Sequence, residues 1–359
     1  MRILVCNWKD LTHPAAGGAE VYVDAVTRQW AANNHDVTIF SAAVAGQPSE
    51  EIVAGVRVVR AGSRLTVYRE ARRFYRSRPR QRYDVVLDVV NTRPFLTPRW
   101  VEGPVVVALI FQVAREVWDH ELTKPLALLG RHVLEPSWLR SYGRVPTVTI
   151  SASSRESLAE YGLRSVVVIP VGLELPTLTA SPPREPQPTV MFLGRLASNK
   201  RPDHALAAFR AARDAMPNAR MWVMGGGPLE KRLRHDFSED EVQFLGRVPT
   251  EQKLDRLARA HALLVTSVRE GWGLVVTEAA ALGTPSIGYD IPGLRDSLLA
   301  SGGVIVPPSV GDLAAAVRAK VPGWAAGELP PVHPGGVLPW ADVAARLLVY
   351  LEEQRCAHR

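Results

Sequence analysis

Short runs of apolar and β-branched residues alternate with helix-like segments along almost the whole chain, and this alternation most constrains the fold. Within each run the apolar character is continuous, which is typical of strands covered on both faces, as in a parallel sheet. Such strands separated by helices predict a doubly wound α/β architecture. The predicted strands are RILVCNW, DVTIFSA, VRVVRAG, DVVLDVV, PVVVALIFQ, TVTISAS and VVVIP, followed by TVMFLGRL, ARMWVMGG, VQFLGRV, ALLVTS, PSIGYD and GGVIVPP.

The alternation breaks at residues 173–190, a stretch with five prolines and no apolar periodicity. Such a stretch is typical of a linker. A chain of 359 residues is also too long for one ordinary core. We therefore predict a Rossmann-like domain over residues 1–174, a linker over 175–188 and a second Rossmann-like domain over 189–339. A Pro/Gly-rich stretch at 321–339 precedes a last predicted helix at 340–355, and further helices are predicted at 20–32, 122–142 and 155–161.

The net charge and the cysteine content limit the range of cellular compartments and binding partners that suit the chain. The formal charge of +7 and the pI of about 9.6 favour anionic partners such as nucleotides or acidic lipid surfaces. The two cysteines, Cys6 and Cys356, and an N-terminus without a signal-like apolar run predict a cytoplasmic protein. Abundant arginine, alanine and proline suggest a bacterium of high GC content. No recognition module accompanies the basic residues, so no nucleic-acid partner is predicted.

The stretch SVREGWGLVVTEAAALGTP, residues 267–285, holds two carboxylates at a strand–loop–helix junction. Glu270 lies in the loop and Glu278 in the early turns of the helix, while Gly271 and Gly273 permit tight turning. Free amides at a helix start form a site for anions. Together these groups suit an anionic ligand that carries sugar hydroxyls. The alternative is a solvated loop glutamate beside a glutamate favoured by the helix dipole.

Two further loops carry anion-binding chemistry. Arg195 and Lys200 follow a predicted strand in FLGRLASNKRPDHALAAF, and two such cations can neutralise a diphosphate. Gly17 and Gly18 precede the first predicted helix in LTHPAAGGAEVYV and form a second possible anion cradle. The alternatives are a solvated basic loop and a plain connection. The G-x-G-x-x-G fingerprint of dinucleotide-binding proteins is missing, which disfavours a nicotinamide oxidoreductase.

Taken together, these motifs resemble those of the GT-B glycosyltransferases, and among them the retaining family 4. The resemblance is close over residues 188–308 and weaker over the first half. Its most specific features are EGWGLVVTE, GRLASNK and GGAE, with GGGP and FLGRVPTEQK at further donor-side positions. It implies two Rossmann-like domains facing a central cleft. The first would bind the acceptor, with helix 340–355 packing back on it, and the second would bind the donor.

The resemblance also implies roles for single residues. Arg195 and Lys200 would hold the donor diphosphate and stabilise the leaving nucleotide, Glu278 would bind the ribose hydroxyls, and Glu270 would face the sugar. We expect Glu270, Arg195 and Lys200 to be the catalytic residues. Further donor contacts, mainly through backbone, are implied for Gly17, Gly18, Gly246, Val248, Gly271, Trp272, Gly273 and Leu274. No metal and no cofactor besides the nucleotide-diphosphate sugar are implied, and transfer to a hydroxyl acceptor would retain the anomeric configuration.

One departure from the family concerns Phe111. The family often has a histidine just before the glutamine of this stretch, whereas here Phe111 precedes Gln112. An apolar ring then replaces a side chain that would face the sugar, unless His13 or His120 compensates. One alternative to a transferase therefore stays open, a non-catalytic sugar-nucleotide-binding partner of a transferase. The other alternative is a GT-B sugar-nucleotide epimerase, which would need acid/base residues in the cleft, and Phe111 argues against it.

The first half also carries an arginine-rich stretch at residues 64–82, with Tyr68, Phe74 and Tyr75 interleaved. We predict a helix here up to Arg78. It could contact an anionic membrane at its inner face, which would suit a lipid-linked acceptor, or it could be a solvated connecting helix. The polar candidates for the acceptor side are Asp88, Asn91, Glu116 and Asp119. None of these features identifies the base, the sugar or the acceptor.

Overall fold

The computed structural model describes residues 1–79, 82–174 and 182–358. These residues form two compact units, which are described separately. Unit 1 comprises Met1–Arg115, Lys124–Gly172 and Leu338–Arg359, and unit 2 comprises Glu116–Thr123 and Leu173–Val337. Residues 175–181 of the predicted linker lie outside the described residues.

Unit 1 is built on an eight-stranded sheet with the order β3-β4-β2-β1-β5-β6-β7-β8, in which only the β3–β4 pair is antiparallel. The strands are β1 (Arg2–Cys6), β2 (Asp36–Ser41), β3 (Glu50–Val53), β4 (Val56–Arg60), β5 (Val85–Val90), β6 (Val105–Ile110), β7 (Thr147–Thr149) and β8 (Val166–Val168). Its helices are α1 (Gly18–Ala32), α2 (Val67–Arg76), α4 (Lys124–Leu129), α5 (Glu135–Arg140), α6 (Ala152–Ala159) and α13 (Trp340–His358). A 3-10 turn spans Thr97–Arg99, and a π-helical segment at Gly130–Leu134 joins α4 to α5.

Helix α13 belongs to unit 1 although the segment Leu173–Val337 of unit 2 separates it in the sequence from the other elements of unit 1. It packs on α1, where the Trp30 Nε1 donates to the carbonyl of Ala344 at 2.9 Å. At its start the Trp340 ring lies against Gly172, where a Cβ atom would come within 2.4 Å of the ring. Gly172 therefore fits only because it has no side chain.

Unit 2 is a six-stranded, all-parallel sheet with the order β11-β10-β9-β12-β13-β14. The strands are β9 (Thr189–Leu193), β10 (Arg220–Met224), β11 (Val242–Gly246), β12 (Ala262–Val265), β13 (Ser286–Tyr289) and β14 (Val304–Val306). The helices are α3 (Val117–Glu121), α7 (Pro202–Ala212), α8 (Glu230–Asp236), α9 (Thr250–Arg259), α10 (Leu274–Ala281), α11 (Leu294–Ser301) and α12 (Val310–Ala325), with 3-10 turns at Ser198–Lys200 and Arg213–Ala215. The predicted doubly wound α/β architecture is thus confirmed, and each predicted strand is present.

Three elements differ from the sequence prediction. Strand β3 was not predicted, since its residues EEIV have little apolar character and lie at the sheet edge. The helix predicted over 122–142 begins at Lys124, ends at Arg140 and contains the π-helical segment. Helix α12 continues through Pro322 into the stretch predicted as Pro/Gly-rich coil, because Val321 and Trp324 are buried in the core of unit 2. Packing there outweighs the hydrogen bond that proline cannot donate.

No helix in the described parts of the chain combines the length and the apolar character that crossing a bilayer requires.

A buried histidine makes the stability of unit 2 depend on pH. The Nδ1 atom of His261 accepts the backbone N–H of Thr189 at 3.1 Å, and burial, with a smaller contribution from Arg184, lowers the pKa of His261 below 6.5. The unfolded chain therefore takes up the proton first, so stability is full above about pH 6.5 and is lost as the pH falls below it. We expect the urea midpoint to fall between about pH 7.5 and about pH 5.5.

The matched variant is His261→Asn, whose side-chain oxygen can accept the same N–H without titrating. Its urea midpoint should change less with pH than that of the wild type, whereas His235→Asn, at an exposed position, should behave as the wild type does. Equal pH slopes for the wild type and His261→Asn would contradict this role.

Candidate functional site

Three loops of unit 2 leave neighbouring parallel strands at the same edge of the sheet. Strands β10, β9 and β12 are adjacent in that order. The loops that follow them contain residues 225–229 after β10, 194–201 after β9 and 266–273 after β12. Because parallel strands end at one edge, this arrangement brings the predicted donor motifs together, and such edges are where α/β sheets bind ligands.

Glycines set the spacing of the first two loops. The Leu196 N–H donates to the Gly226 carbonyl at 3.0 Å. A Cβ atom at Gly225 would lie 1.9 Å from the Gly194 carbonyl oxygen, and one at Gly227 would lie 2.4 Å from the Leu196 carbonyl oxygen. Gly225 and Gly227 of GGGP are therefore required for the backbone of one loop to lie directly on the other.

Arg195 and Lys200 both stand on the loop after β9, as predicted. The side chain of Arg195 is exposed. The Lys200 ammonium forms an ion pair with the Glu270 carboxylate, and the Ser267 Oγ donates to the same carboxylate at 2.6 Å. The structure thus couples two of the predicted catalytic residues directly, and it adds Ser267 as a partner that the sequence did not single out.

Hydrogen bonds also join the backbone of the loop after β9 to the loop that carries Glu270. The Thr266 Oγ1 donates to the carbonyls of Lys200 and Arg201 at 2.9 and 2.7 Å, and the Val268 N–H donates to the Asn199 carbonyl at 2.9 Å. On the other side, a Cβ atom at Gly293 would lie 2.1 Å from the Glu270 carbonyl oxygen. The loop that carries Glu270 is therefore held between the loop after β9 and the turn before α11.

Glu278 lies on α10 and forms an ion pair with Lys253 of α9 at 2.8 Å. Both side chains are partly exposed, at 19% for Glu278 and 24% for Lys253. The two predicted carboxylates thus each hold a lysine from a neighbouring element. Lys253 was missed as a site residue because nothing in the helical pattern of α9 separates it from a solvated lysine.

The residues between the two carboxylates form the start of α10. Gly273 precedes the helix with a φ of +92°, which a side chain would strain. The Trp272 Nε1 donates to the Thr277 Oγ1 at 2.8 Å, which folds the indole back on the first turn. Helix α10 begins at Leu274 and ends before Gly283, whose φ is +76°. The helix thus starts directly after the Gly271–Gly273 turn, and the binding of an anion by its free amides stays a prediction.

Two predicted base contacts lie at the end of β11 and just after it. Gly246 has a φ of +67°, and its carbonyl accepts the Gly225 N–H at 2.8 Å. Val248 is half-buried and packs against the core of unit 2. This loop therefore adjoins the glycine loop after β10, at the same edge of the sheet.

Residues 116–123 group with unit 2, although the sequence prediction placed them in the first domain. The reason is contact with the loops just described. Arg269 Nη1 pairs with the Glu116 carboxylate at 3.0 Å, and the Ser198 Oγ donates to the His120 carbonyl at 3.0 Å. Burial, and then the charge of Arg201, lowers the pKa of His120. Glu116, considered for the acceptor side, is thus bound beside the Glu270 loop.

In unit 1, Gly17 and Gly18 stand at the start of α1, as predicted. The Gly17 N–H donates to the Glu20 carboxylate at 2.7 Å. A ligand anion would have to displace Glu20 from this amide. Glu20 is itself buried and lies 3.2 Å from the Lys9 ammonium, and burial raises its pKa against the opposing effect of Lys9.

The acceptor-side candidates of unit 1 separate into two roles. Asp88 is fully buried and accepts hydrogen bonds from the Thr97 backbone and hydroxyl, the Phe95 backbone and the Tyr142 hydroxyl. It therefore fixes the loop after β5 and is not available to an acceptor. Asn91 donates to both Asn7 and Glu20 at 3.2 Å, so it belongs to the polar cluster at the start of α1.

Phe111 is buried in an aromatic cluster. Its ring packs edge-on against Tyr22 at a centroid distance of 5.3 Å, and Tyr22 packs in the same way against Trp340 at 5.5 Å. The ring thus contributes to the packing of α1 and α13 in unit 1. His13, considered as a substitute, lies edge-on to Trp8 at 5.2 Å.

Among the described residues no group of three or more His, Cys, Asp or Glu side chains is arranged to hold a metal ion. The cationic groups Arg195, Lys200 and Lys253, together with the amides of the α10 start, are the groups of unit 2 that suit a phosphorylated ligand.

Comparison with known proteins agrees with this chemistry. Residues 178–321 match the family model described as glycosyl transferases group 1, and residues 16–175 match that of Glycosyltransferase Family 4. Glycogen synthase from Mycobacterium tuberculosis is 28% identical over 89% of this chain and 85% of that protein.

Solved structures of the same architecture cover the whole chain. Sucrose-phosphate synthase from Thermosynechococcus elongatus matches with a TM-score of 0.76 and 19% identity over 99% of both chains. The protein HepE from Anabaena, solved in complex with UDP and glucose, matches with a TM-score of 0.70 and 15% identity over 98% of this chain and 100% of that chain.

Proposed function

This chain belongs to the family 4 glycosyltransferases of the GT-B fold, and on that basis we propose that it transfers a sugar from a nucleotide-diphosphate donor to a hydroxyl group of an acceptor, with retention of configuration. Family membership supplies the class of reaction. The choice of donor type draws on the site of unit 2 and on the UDP bound by HepE. The acceptor is a glycan, a lipid-linked sugar or a small metabolite.

The observation that carries this proposal is the ion pair between Lys200 and Glu270. It holds an ammonium group at the edge of the sheet, on the same loop as the exposed Arg195. A donor diphosphate would compete with Glu270 for Lys200 and free the carboxylate to accept a hydroxyl of the sugar. The pair thus keeps both groups positioned before the donor binds.

The chemistry follows from where charge develops. When the glycosidic C1–O bond breaks, its electron pair stays on the diphosphate oxygen and the sugar becomes oxocarbenium-like. Lys200, the Arg195 fork and the amides at the start of α10 would stabilise the new negative charge without a metal ion. The acceptor hydroxyl would attack from the face that the diphosphate leaves, and its proton would pass to a phosphate oxygen.

The second carboxylate supplies affinity for the nucleotide. Glu278 would accept hydrogen bonds from the ribose hydroxyls while Lys253 fixes its orientation at 2.8 Å. The backbone of Gly271–Leu274 would contact sugar and phosphate, and Gly246–Val248 would border the base. The contact of Gly17 and Gly18 with the donor stays a prediction.

Glu278→Ala is expected to weaken nucleotide binding by about 1–3 kcal/mol, the cost of an unmade hydrogen bond to a charged group. The measurement is a thermal-shift panel of UDP, GDP, ADP, CMP and dTDP, without metal, followed by calorimetry with the best ligand. A nucleotide at 100 times its Kd stabilises the folded protein by about 2.7 kcal/mol.

The control is Glu251→Ala, an exposed glutamate in the first turn of α9. It should leave nucleotide affinity unchanged. Unaltered affinity in a folded Glu278→Ala variant would remove the ribose assignment, and no shift with any nucleotide would remove the donor proposal.

A non-catalytic role as a sugar-nucleotide-binding partner is favoured by one observation, the burial of Phe111 where the family often has histidine. Turnover separates the two functions. A transferase converts donor and acceptor with a retained anomeric configuration in the product, which proton NMR reads directly, and it does so in the presence of EDTA. A binding partner shows donor affinity without transfer.

A further inference from the structure

An exposed apolar stripe lies on the helical segment that runs from α4 through the π-helical turn into α5. Backbone angles stay in the right-handed helical region at both junctions, Leu129 and Leu134, so residues 124–140 form one continuous helix. The helix buries Ala127, Gly130, Glu135 and Leu139 against unit 1. Four large apolar side chains of the helix are exposed, Leu126 at 53%, Leu128 at 55%, Leu129 at 45% and Val133 at 54%.

The clustering of these side chains is what requires an explanation. Single exposed apolar residues are ordinary on soluble proteins. Of the twelve exposed large apolar residues in the described parts of the chain, four fall within eight consecutive residues here. Leu126, Leu129 and Val133 are three and four residues apart, so they form one stripe along the helix.

The charged residues around the stripe indicate the chemistry of the surface that binds it. Residues 124–144 include Lys124, Arg131, Arg140 and Arg144, and their one acidic residue is Glu135. Glu135 is buried, because its carboxylate accepts the backbone N–H groups of Ala114 and Arg115. The face therefore presents apolar and basic groups with no exposed carboxylate of its own.

Helix α2, which carries most of the arginine-rich stretch, lies in the same layer of unit 1. Val86 and Val90 point to one face of β5, and they pack in the clusters formed by α2 and by α5 respectively. Between the two helices, the Arg99 Nη2 donates to the Ser141 Oγ at 2.7 Å. The exposed arginines Arg69, Arg72, Arg73 and Arg76 of α2 thus extend the basic area of the layer.

We infer that the helix of residues 124–140 docks unit 1 on a membrane surface that contains anionic lipid, with Leu126, Leu129 and Val133 inserted among the acyl chains. Apolar insertion beside basic side chains is how interfacial helices bind bilayers. Each side chain that leaves water gains affinity through its buried area, and each arginine gains through the surface potential. The arginines of residues 64–82 contribute attraction, whereas 124–140 supplies the inserted groups.

The test is co-sedimentation of the full chain with vesicles of phosphatidylcholine alone and of phosphatidylcholine mixed with phosphatidylglycerol. We expect binding to the mixed vesicles that weakens as salt is raised. The variant Leu126→Ser/Leu129→Ser/Val133→Ser should lower the partition coefficient by about a hundredfold or more. Arg72→Gln/Arg73→Gln/Arg76→Gln should lower it by about fivefold per charge.

The matched control is Leu299→Ser, which removes a leucine that is 67% exposed on α11 of unit 2. It should bind as the wild type does. All substituted side chains are exposed, so thermal midpoints near that of the wild type are expected for every variant. Sedimentation velocity without lipid reports whether the stripe instead joins two copies of this chain.

Three results would overturn the inference. The first is no binding of the wild type to mixed vesicles at low salt. The second is unchanged binding of the triple serine variant. The third is a wild-type dimer that the serine variant dissociates. None of these measurements involves sugar transfer, so their failure would leave the proposed reaction untouched.

Discussion

Lys200→Met should lower kcat/KM for sugar transfer by about 10²–10³, the range found when one group that stabilises developing negative charge is removed. The ammonium is the one group in unit 2 that contacts Glu270 as an ion pair within the described residues, and it would meet the leaving diphosphate. Methionine keeps much of the length of the side chain and removes its charge. The expected loss falls mainly on kcat, since the charge develops in the transition state.

The matched control for this variant is Lys231→Met, at an exposed position in α8. It removes the same charge from unit 2 and should leave kcat/KM unchanged. Steady-state rates with saturating donor, together with thermal midpoints, separate lost chemistry from lost folding. A folded Lys200→Met variant with the wild-type kcat/KM would contradict the role of Lys200 at the diphosphate.

Gly293→Ala should destabilise unit 2 by about 2–5 kcal/mol, combining overpacking with a strained backbone. The new Cβ would lie 2.1 Å from the Glu270 carbonyl oxygen, and Gly293 has a φ of +78°. The atoms nearest to the new Cβ belong to the backbone of Glu270 and Gly271, so the backbone of the Glu270 loop has to move. We therefore expect weaker donor binding in addition to a lower urea midpoint.

Gly336→Ala isolates the conformational part of this effect. Its φ of +69° is similar, and no atom lies within 4 Å of the Cβ position. This variant should lose about 1 kcal/mol of unfolding free energy, because only the left-handed backbone conformation disfavours alanine there. Equal midpoints for the two alanine variants would show that the contact with Glu270 does not constrain the loop.

The sequence predicted the architecture well because parallel strands leave a strong signal. Continuous apolar runs rich in β-branched residues are typical of strands buried on both faces, and every run that we predicted to be a strand is one. The polar edge strand β3 has no continuous apolar run, and Pro322 indicates the end of a helix although α12 continues through it. In both cases contacts with residues that are distant in the sequence determine the local structure, and the neighbouring residues carry no signal of those contacts.

The sequence predicted on which elements the candidate residues lie, but not their contacts with one another, and their roles stay predictions. Motif spacing placed Glu270, Glu278, Arg195 and Lys200 on the loops and the helix where they are found. The pairing of each glutamate with a lysine depends on how neighbouring elements approach one another. The same limit applies to residues 116–123, which bind to unit 2 through Glu116 and the His120 carbonyl.

The docking of α13 on α1 has a consequence for synthesis on the ribosome. Residues 1–172 of unit 1 emerge first, yet α13 and Trp340 become available only after roughly 160 further residues have been made, or ~10–30 s later at ordinary rates of elongation. During that interval Trp30 lacks its acceptor at Ala344, and Tyr22 lacks the Trp340 ring. Unit 2 can therefore complete its fold first, and the nascent unit 1 displays an uncovered apolar face that chaperones would recognise until translation supplies its last helix.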